Sequence, residues 1–327
     1  MRKGLVLLAV VYMVAGMFAG AASAAEKPKD FPTRPITFIV PFNPGGSSGL
    51  MANKIGEYAE EYLGQPLNIV YRPGVGGLTA TAEFAHAKKD GYTVLLAPNA
   101  VFTVQPFMRD VKYSINDYRI LCGVHKDPQL IVVRYDAPYN TIKEMAEYFK
   151  KAGRPLKFGS SGTGGMNYNN QVLLYKRAGI EAQSVPFSGG AEPLINVLGG
   201  HIDIATGGTP EVFNYIREKQ MKPLGLLAEE RDTSDLYKDV PTFKELGYGD
   251  PLMIYKFLCV PAGTPEDRAA FLEDAFIKIL RDKRWIEFSE KNYNVMFDAT
   301  GKDITARIVP EIEETHKILK ELGVAKK

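Results

Sequence analysis

The sequence predicts an α/β protein of two units, each a mostly parallel sheet flanked by helices, with the second unit inserted into the first. Three observations predict it. Between residues 36 and 97, short β-rich runs alternate with helical patterns in the order β-α-β-α-β, the mark of a parallel sheet covered on both faces. The alternation breaks at 119–134, RILCGVHKDPQLIVVR, and resumes at 141. It ends in an apolar run at 253–260, MIYKFLCV, followed by a mostly helical tail over 265–322.

The elements follow in order. A strand at 36–41 leads to a helix near 48–63, where Met51, Ile55, Tyr58, Ala59 and Tyr62 share one face. A strand at 67–71 is followed by the loop RPGVGG at 72–77 and a helix near 78–88. Asp90-Gly91 turns the chain into a strand at 92–97. Residues 119–134 read as two strands around a Lys-Asp-Pro turn. The second unit then has helices near 141–152, 166–178, 190–198 and 210–219, between strands at 155–159, 183–187, 201–206 and 223–228. A polar stretch, 229–251, carries the turn signals Gly247, Gly249 and Pro251, and 261–265, PAGTP, stops the last strand. No fixed-period repeat or low-complexity segment interrupts this plan.

The first 24 residues read as a secretory signal peptide: Arg2 and Lys3, a mostly apolar run from Gly4 to Ala19, then Ala22-Ser23-Ala24 as a cleavage site. Removing 24 of the 327 residues leaves 303, room for two domains of ordinary size. The leader takes away two basic residues and no acid, so Lys+Arg falls from 40 to 38, equal to the 38 Asp+Glu. A near-neutral chain lacks the electrostatic footprint of a nucleic-acid binder. No later segment is apolar enough to span a bilayer, so a soluble exported protein is expected. The two cysteines, Cys122 and Cys259, are too few for a metal cluster, and the sequence leaves open whether they are buried thiols or a disulfide.

Four glycine-rich loops, 41–49, 72–77, 159–165 and 187–190, each follow a strand and precede a helix. In open α/β sheets ligands bind at that edge, where backbone N–H groups and helix amino ends favour anions. Glycine there also serves backbone geometry alone. Known motifs fail on their details. Gly159 and Gly164 have P-loop spacing, but Gly165 and Met166 stand where Lys and Ser/Thr are required. Gly74-x-Gly76 lacks the rest of a dinucleotide fingerprint, with Thr79 at its sixth position. Gly45-Gly46-Ser47-Ser48-Gly49 spells the nucleophile elbow of serine hydrolases, yet none of His86, His125, His201 and His316 sits in a loop suited to a catalytic base. No paired carboxylates or metal-ligand cluster stands out, and no cofactor is expected. Asp203, before a glycine pair, is the best single acid, as a cleft residue or as a strand acid or cap. Phe42 and Phe187, each in a Pro-Phe pair at a glycine loop, could wall a ligand or anchor a loop. Trp285 reads as packing.

Six collinear stretches, RPITFIVPFNPGG, LGQPLNIVYRPGVGG, KDGYTVLLAPN, SSGTGG, VPFSGGAEPLINVLGGHID and VPAGTP, resemble the Bug-type proteins, the extracytoplasmic substrate-binding proteins of tripartite tricarboxylate transporters. The resemblance runs from about residue 32 to the C-terminus. It implies a two-lobed periplasmic binding protein (type II-like) with its ligand in the cleft between lobes: residues 25–126 with 257–327, and an inserted lobe, 127–256. It implies that loops 42–49 and 160–165 pinch a ligand carboxylate. The residues carried over are Phe42, Ser47, Ser48 and Gly49 from the first loop and Ser160, Ser161, Thr163 and Gly164 from the second. Asn99 would lie at the cleft edge, and Phe187, Asp203 and Gly207 would face the cleft. Where many relatives have an acid this chain has Gly49, which leaves Ser48 as the expected helix cap and removes a charge near the ligand. No arginine or lysine lies in these loops, so a grip by neutral donors and helix ends is expected. The lobes would close about the crossovers near 124–132 and 250–258. The implied partners are a small di-, tri- or aromatic carboxylate and the membrane permease subunits, with the protein itself a monomer. A periplasmic ligand sensor acting on a signalling receptor is the alternative, and a serine hydrolase using Ser47 a remoter one.

Overall fold

The computed structural model describes residues 26–160, 162 and 164–326. The expected signal peptide therefore lies outside the described residues, as do Ser161 and Thr163.

The chain opens with strand β1 (Ile36–Val40), whose Ile36, Phe38 and Val40 point into one core by the two-residue period of a strand. Helix α1 (Ser47–Leu63) packs over it and stops at Gly64, where a φ of 75° ends the helix and the Gly64 N–H donates to Glu60 O. Strand β2 (Leu67–Tyr71), helix α2 (Leu78–Phe84) and strand β3 (Thr93–Pro98) complete the first run. Two short helices, α3 (Ala100–Thr103) and α4 (Gln105–Met108), precede strand β4 (Tyr118–Lys126). Strand β5 (Gln129–Arg134) begins the second run, followed by α5 (Ile142–Ala152), β6 (Leu156–Ser160), α6 (Met166–Ala178), β7 (Ala182–Pro186), α7 (Ala191–Leu198), β8 (Ile204–Gly208), α8 (Thr209–Arg217) and β9 (Met221–Leu227). The return consists of β10 (Tyr255–Pro261), α9 (Glu266–Leu280), α10 (Lys283–Lys291), β11 (Val295–Met296) and α11 (Gly301–Glu321). Side chains start several of these helices: Thr141 accepts from Glu144 N ahead of α5, and Thr300 with Asp303 forms a capping box ahead of α11.

Two sheets result, in the orders β11-β4-β10-β3-β1-β2 and β7-β6-β8-β5-β9. They are mixed, where mostly parallel sheets were expected. The β1–β2, β1–β3, β6–β7 and β6–β8 pairs are parallel, while β10 runs antiparallel to β3 and β4, and β5 antiparallel to β8 and β9. The reason is the crossover. β4 and β5 are separated by only two residues, yet they join different sheets, so each inserts beside strands it does not run with.

Each sheet is buried on both faces. Phe38, Phe276 and Trp285 lie in the core beneath α1, α9 and α10, and Phe84, Phe102, Phe257 and Ile308 in the core on the other face. In the second sheet, Met145, Phe149, Phe158 and Tyr175 fill one side and Leu194, Val197, Val212 and Tyr237 the other. A smaller cluster, with Val104 and Leu319 from the first body and Met166 from the second, packs beside the cavity region. Both cysteines are free and buried in neighbouring strands, and burial pushes both thiols up. Among the described residues no helix is long and apolar enough to cross a membrane.

Gly49 has a structural cause within this fold. A Cβ on it would sit 2.0 Å from Pro44 O, so the 41–46 loop folds back against the first turn of α1 only because that position has no side chain. Gly49→Ala is expected to lower stability by about 3 kcal/mol through overpacking. Thermal or urea unfolding measures it, and an unchanged melt would show the loop to be free to shift.

Candidate ligand-binding site

The carboxyl ends of parallel strands from both sheets face each other across a cavity of ≈ 40 Å³. That is room for two or three waters. The first body contributes Phe42, Gly46, Ser47 and Ser48 after β1, Gly76 after β2, and Pro98, Asn99 and Ala100 after β3. The second contributes Gly165, Met166 and Asn167 at the start of α6, Gly190 ahead of α7, and Glu211 in α8. The crossovers close the wall with Asp127, Gln129, Ile254 and Lys256. The bodies also meet directly: Asn43 Nδ2 donates to Glu192 Oε1 at 2.8 Å, and Gln105 Nε2 to Gly164 O at 3.0 Å.

The glycine loops hold a carboxylate that belongs to the protein. Glu211 lies in the first turn of α8, where its Oε2 accepts from Gly208 N at 3.0 Å. Its Oε1 accepts from Ser47 N, at the amino end of α1 in the other body. A Cβ on Gly46 or Gly190 would lie 2.8 or 2.6 Å from that oxygen, so these two glycines exist to let the carboxylate in. One anion thus engages the positive ends of two helices. Burial and the charge of Asp127 push its carboxyl up to about 7, against the two backbone donors and Lys256, which favour the ion.

Beside it lies a buried ion pair. Lys256 Nζ donates to Asp127 Oδ2 and, at 3.0 Å, to Ser47 Oγ, while Ser47 Oγ donates to Asp127 Oδ2 at 3.0 Å. Both charged side chains are only 5% exposed. Burial pushes Asp127 up, but the Lys256 ammonium and the hydrogen bonds outweigh it and leave the carboxyl below its ordinary value. The other oxygen, Oδ1, is buried without a hydrogen-bond partner. His125, paired with Lys256 across β4 and β10, is held down to about 3 by burial and by the lysine charge, so its ring is neutral.

The sequence-derived residues divide on this geometry. Phe42, Ser47, Ser48 and Asn99 line the cavity together. The Asn99 amide is spent on structure, donating to Met253 O at 2.9 Å and Glu311 Oε1 at 2.8 Å. Gly164 presents its carbonyl to Gln105. Gly49, Ser160, Phe187, Asp203 and Gly207 are not among the described residues that line the cavity. A Cβ on Gly207 would meet Val212 and Leu194, whereas one on Gly208 would sit 2.6 Å from Asp127 Oδ1, so the strand turns the next glycine toward Asp127. Phe187 packs against the second body's core and Gly159. Asp203 precedes β8, at the amino end of the strands, and holds Arg154 through two contacts of 2.8 Å. The cap of α1 is Gly46, not Ser48, and Glu211 does the work of an acid there. Three charged side chains, Asp127, Glu211 and Lys256, also line the cavity, and none of them lies in the four glycine loops.

Those three residues escaped the sequence reading, although signals were present. Lys256 is the one charge in an apolar strand run, and a lysine buried in a sheet needs a partner. Glu211 stands three residues after Gly208, at the spacing of a capping box. Asp127 read only as a turn residue.

A family model described as tripartite tricarboxylate transporter family receptor matches residues 51–324. A UPF0065 protein of Bordetella pertussis is 30% identical over 322 residues, covering 97% of this chain and 98% of that protein. The structure of periplasmic binding protein BugD is similar at a TM-score of 0.85 and 25% identity, covering 91% of this chain and all of that one, 100%. MatC from Rhodopseudomonas palustris with bound malate is similar at a TM-score of 0.82 and 25% identity, covering 88% of this chain and 100% of that one.

The position of Glu211 has a pH signature. With a folded pKa of about 7 against an ordinary value of 4.5, the folded protein holds the extra proton between those limits, so this group adds stability as pH falls from 8 to 5. His125 acts in the opposite direction below 6.5, but it does so equally in a Glu211→Gln variant and cancels in the comparison. Wild type is therefore expected to gain about 2–3 kcal/mol relative to Glu211→Gln over that range. Thermal melts of both proteins measure it, and parallel curves would contradict the buried, acid-facing placement of Glu211.

Proposed function

This chain belongs to the tripartite tricarboxylate transporter receptor family, and on that premise we propose that it captures a small organic carboxylate in the cavity between its two bodies and presents it to the membrane permease subunits of a transporter. The observation that carries this reading is the cradle itself. Glycine loops from both bodies, two backbone N–H groups and two helix amino ends close around a carboxylate, that of Glu211. A site that accepts its own carboxylate has the donors and the shape for one brought from outside. The malate named with MatC is an acid of that class.

The amino end of α6 is the natural seat for the ligand's carboxylate. Its cap is Gly165 without a side-chain hydrogen bond, its first turn has no acid, and Met166 and Asn167 face the cavity. Phe42, Ser47 and Ser48 would form the opposite jaw, with Gly164 flanking α6 and Ser161 and Thr163 as further candidate ligand contacts. The lobes are residues 25–126 with 257–327, and 127–256, moving about the two crossovers, and the first 24 residues are an export leader to the periplasm.

Hydrolysis at Ser47 finds no support in this arrangement. Lys256 donates to Ser47 Oγ and Ser47 donates to Asp127, so the neighbouring lysine acts as a donor and not as a base. A fluorophosphonate probe is expected to leave the chain unlabelled. Stoichiometric labelling that disappears in Ser47→Ala would overturn this.

The direct test is a thermal-shift panel of mono-, di-, tri- and aromatic carboxylates. A ligand at a hundred times its Kd should stabilise the protein by about 2.7 kcal/mol. Ser48→Phe should fill the cavity and abolish the shift. Shifts with sugars or polyols and with no carboxylate would contradict the reading.

A further inference from the structure

We propose that the ligand carries, besides its carboxylate, a hydrogen-bond donor group, in the first place an ammonium, that docks on Asp127 Oδ1; this inference rests on the carboxylate reading above and narrows it. The geometric observation is the orphaned oxygen. Asp127 is 4% exposed and lines the cavity, and while its Oδ2 takes Lys256 and Ser47, its Oδ1 has no hydrogen-bond partner. A buried carboxylate oxygen without a donor costs free energy, and a donor supplied by a ligand would recover it. Gly208 lies against that oxygen, where a side chain would collide with it, so the site is kept open from that side.

The charges in the cavity point the same way. Asp127 and Glu211 are acids and Lys256 is the single cation among the described lining residues, with His125 neutral behind them. Lys256 is already shared between Asp127 and Ser47. A ligand with one carboxylate at the α6 end and an ammonium at Asp127 adds no net charge to this set. A tricarboxylate adds three negative charges to a buried site where two acids already face a single cation. A hydroxyl falls between, giving the hydrogen bond without the charge.

Succinate, L-malate and L-aspartate test this, since they share one four-carbon diacid frame and differ only in hydrogen, hydroxyl or ammonium at one carbon. Isothermal titration of the wild-type chain lacking residues 1–24 is expected to give aspartate at least tenfold tighter than succinate, with malate between them. 1,4-Diaminobutane serves as a cation without a carboxylate. Asp127→Asn should erase the difference between aspartate and succinate. Because that change strands Lys256, the double variant Asp127→Asn/Lys256→Met accompanies it and should erase the difference as well. Equal binding of succinate and aspartate to wild type, or an unchanged preference in a folded Asp127 variant, would overturn the inference and leave the carboxylate reading intact. Binding of the diamine with no binding of any acid would overturn the carboxylate reading and leave the role of Asp127 standing. No binding by any of the four would overturn the inference, and the wider carboxylate panel then decides the carboxylate reading by itself.

Discussion

An ion pair buried where the chain passes between its two sheets governs the rest of this structure. Asp127 follows β4, Lys256 is the second residue of β10, and each lies on one of the two segments that link the bodies. Neither charge is tolerable there without the other. Removing one partner of such a pair typically costs about 3–5 kcal/mol, whereas the intact pair adds little net stability over apolar residues. Its value lies in position. It fixes the Ser47 hydroxyl and leaves one Asp127 oxygen without a hydrogen-bond partner, while burial and then the Asp127 charge raise the Glu211 carboxyl against the Lys256 ammonium.

The glycine loops make sense around those charges. Gly46 and Gly190 stand where any side chain would collide with the Glu211 carboxylate, and Gly208 stands against Asp127 in the same way. Loops that look from their composition like a cradle for a foreign anion first cradle the protein's own. Glu211 bridges the amino ends of α1 and α8, one from each body, so it both marks the site as suited to carboxylates and links the bodies. A ligand that opens the cavity must replace that bridge with its own contacts.

Much of the fold was legible because periodicity and glycine placement are local. The helix at Met166–Ala178 and the strand at Leu67–Tyr71 lie where their patterns put them. The mixed character of the sheets was not legible. Strand direction depends on which sheet a strand joins, and the two residues between β4 and β5 read as an ordinary turn. Ser47 and Ser48, carried over from the family resemblance, do line the cavity. Asp127, Glu211 and Lys256 were not, because what makes them part of a site is a meeting between distant segments: Asp127 and Lys256 are 129 residues apart, Ser47 and Glu211 164. Asp203 failed for the complementary reason: a glycine pair follows it, but the strand carries it to the far edge, where Arg154 takes it.

The proposed cavity holds an organic carboxylate with its anionic end at the start of α6. A crystal structure of the chain lacking residues 1–24, grown with the acid that raises its melting point most, tests this directly. A ligand carboxylate is expected within about 2.7–2.9 Å of backbone N–H groups in the first turn of α6. An acid bound outside the cavity, or bound inside with its carboxylate turned from both α6 and α1, would contradict it.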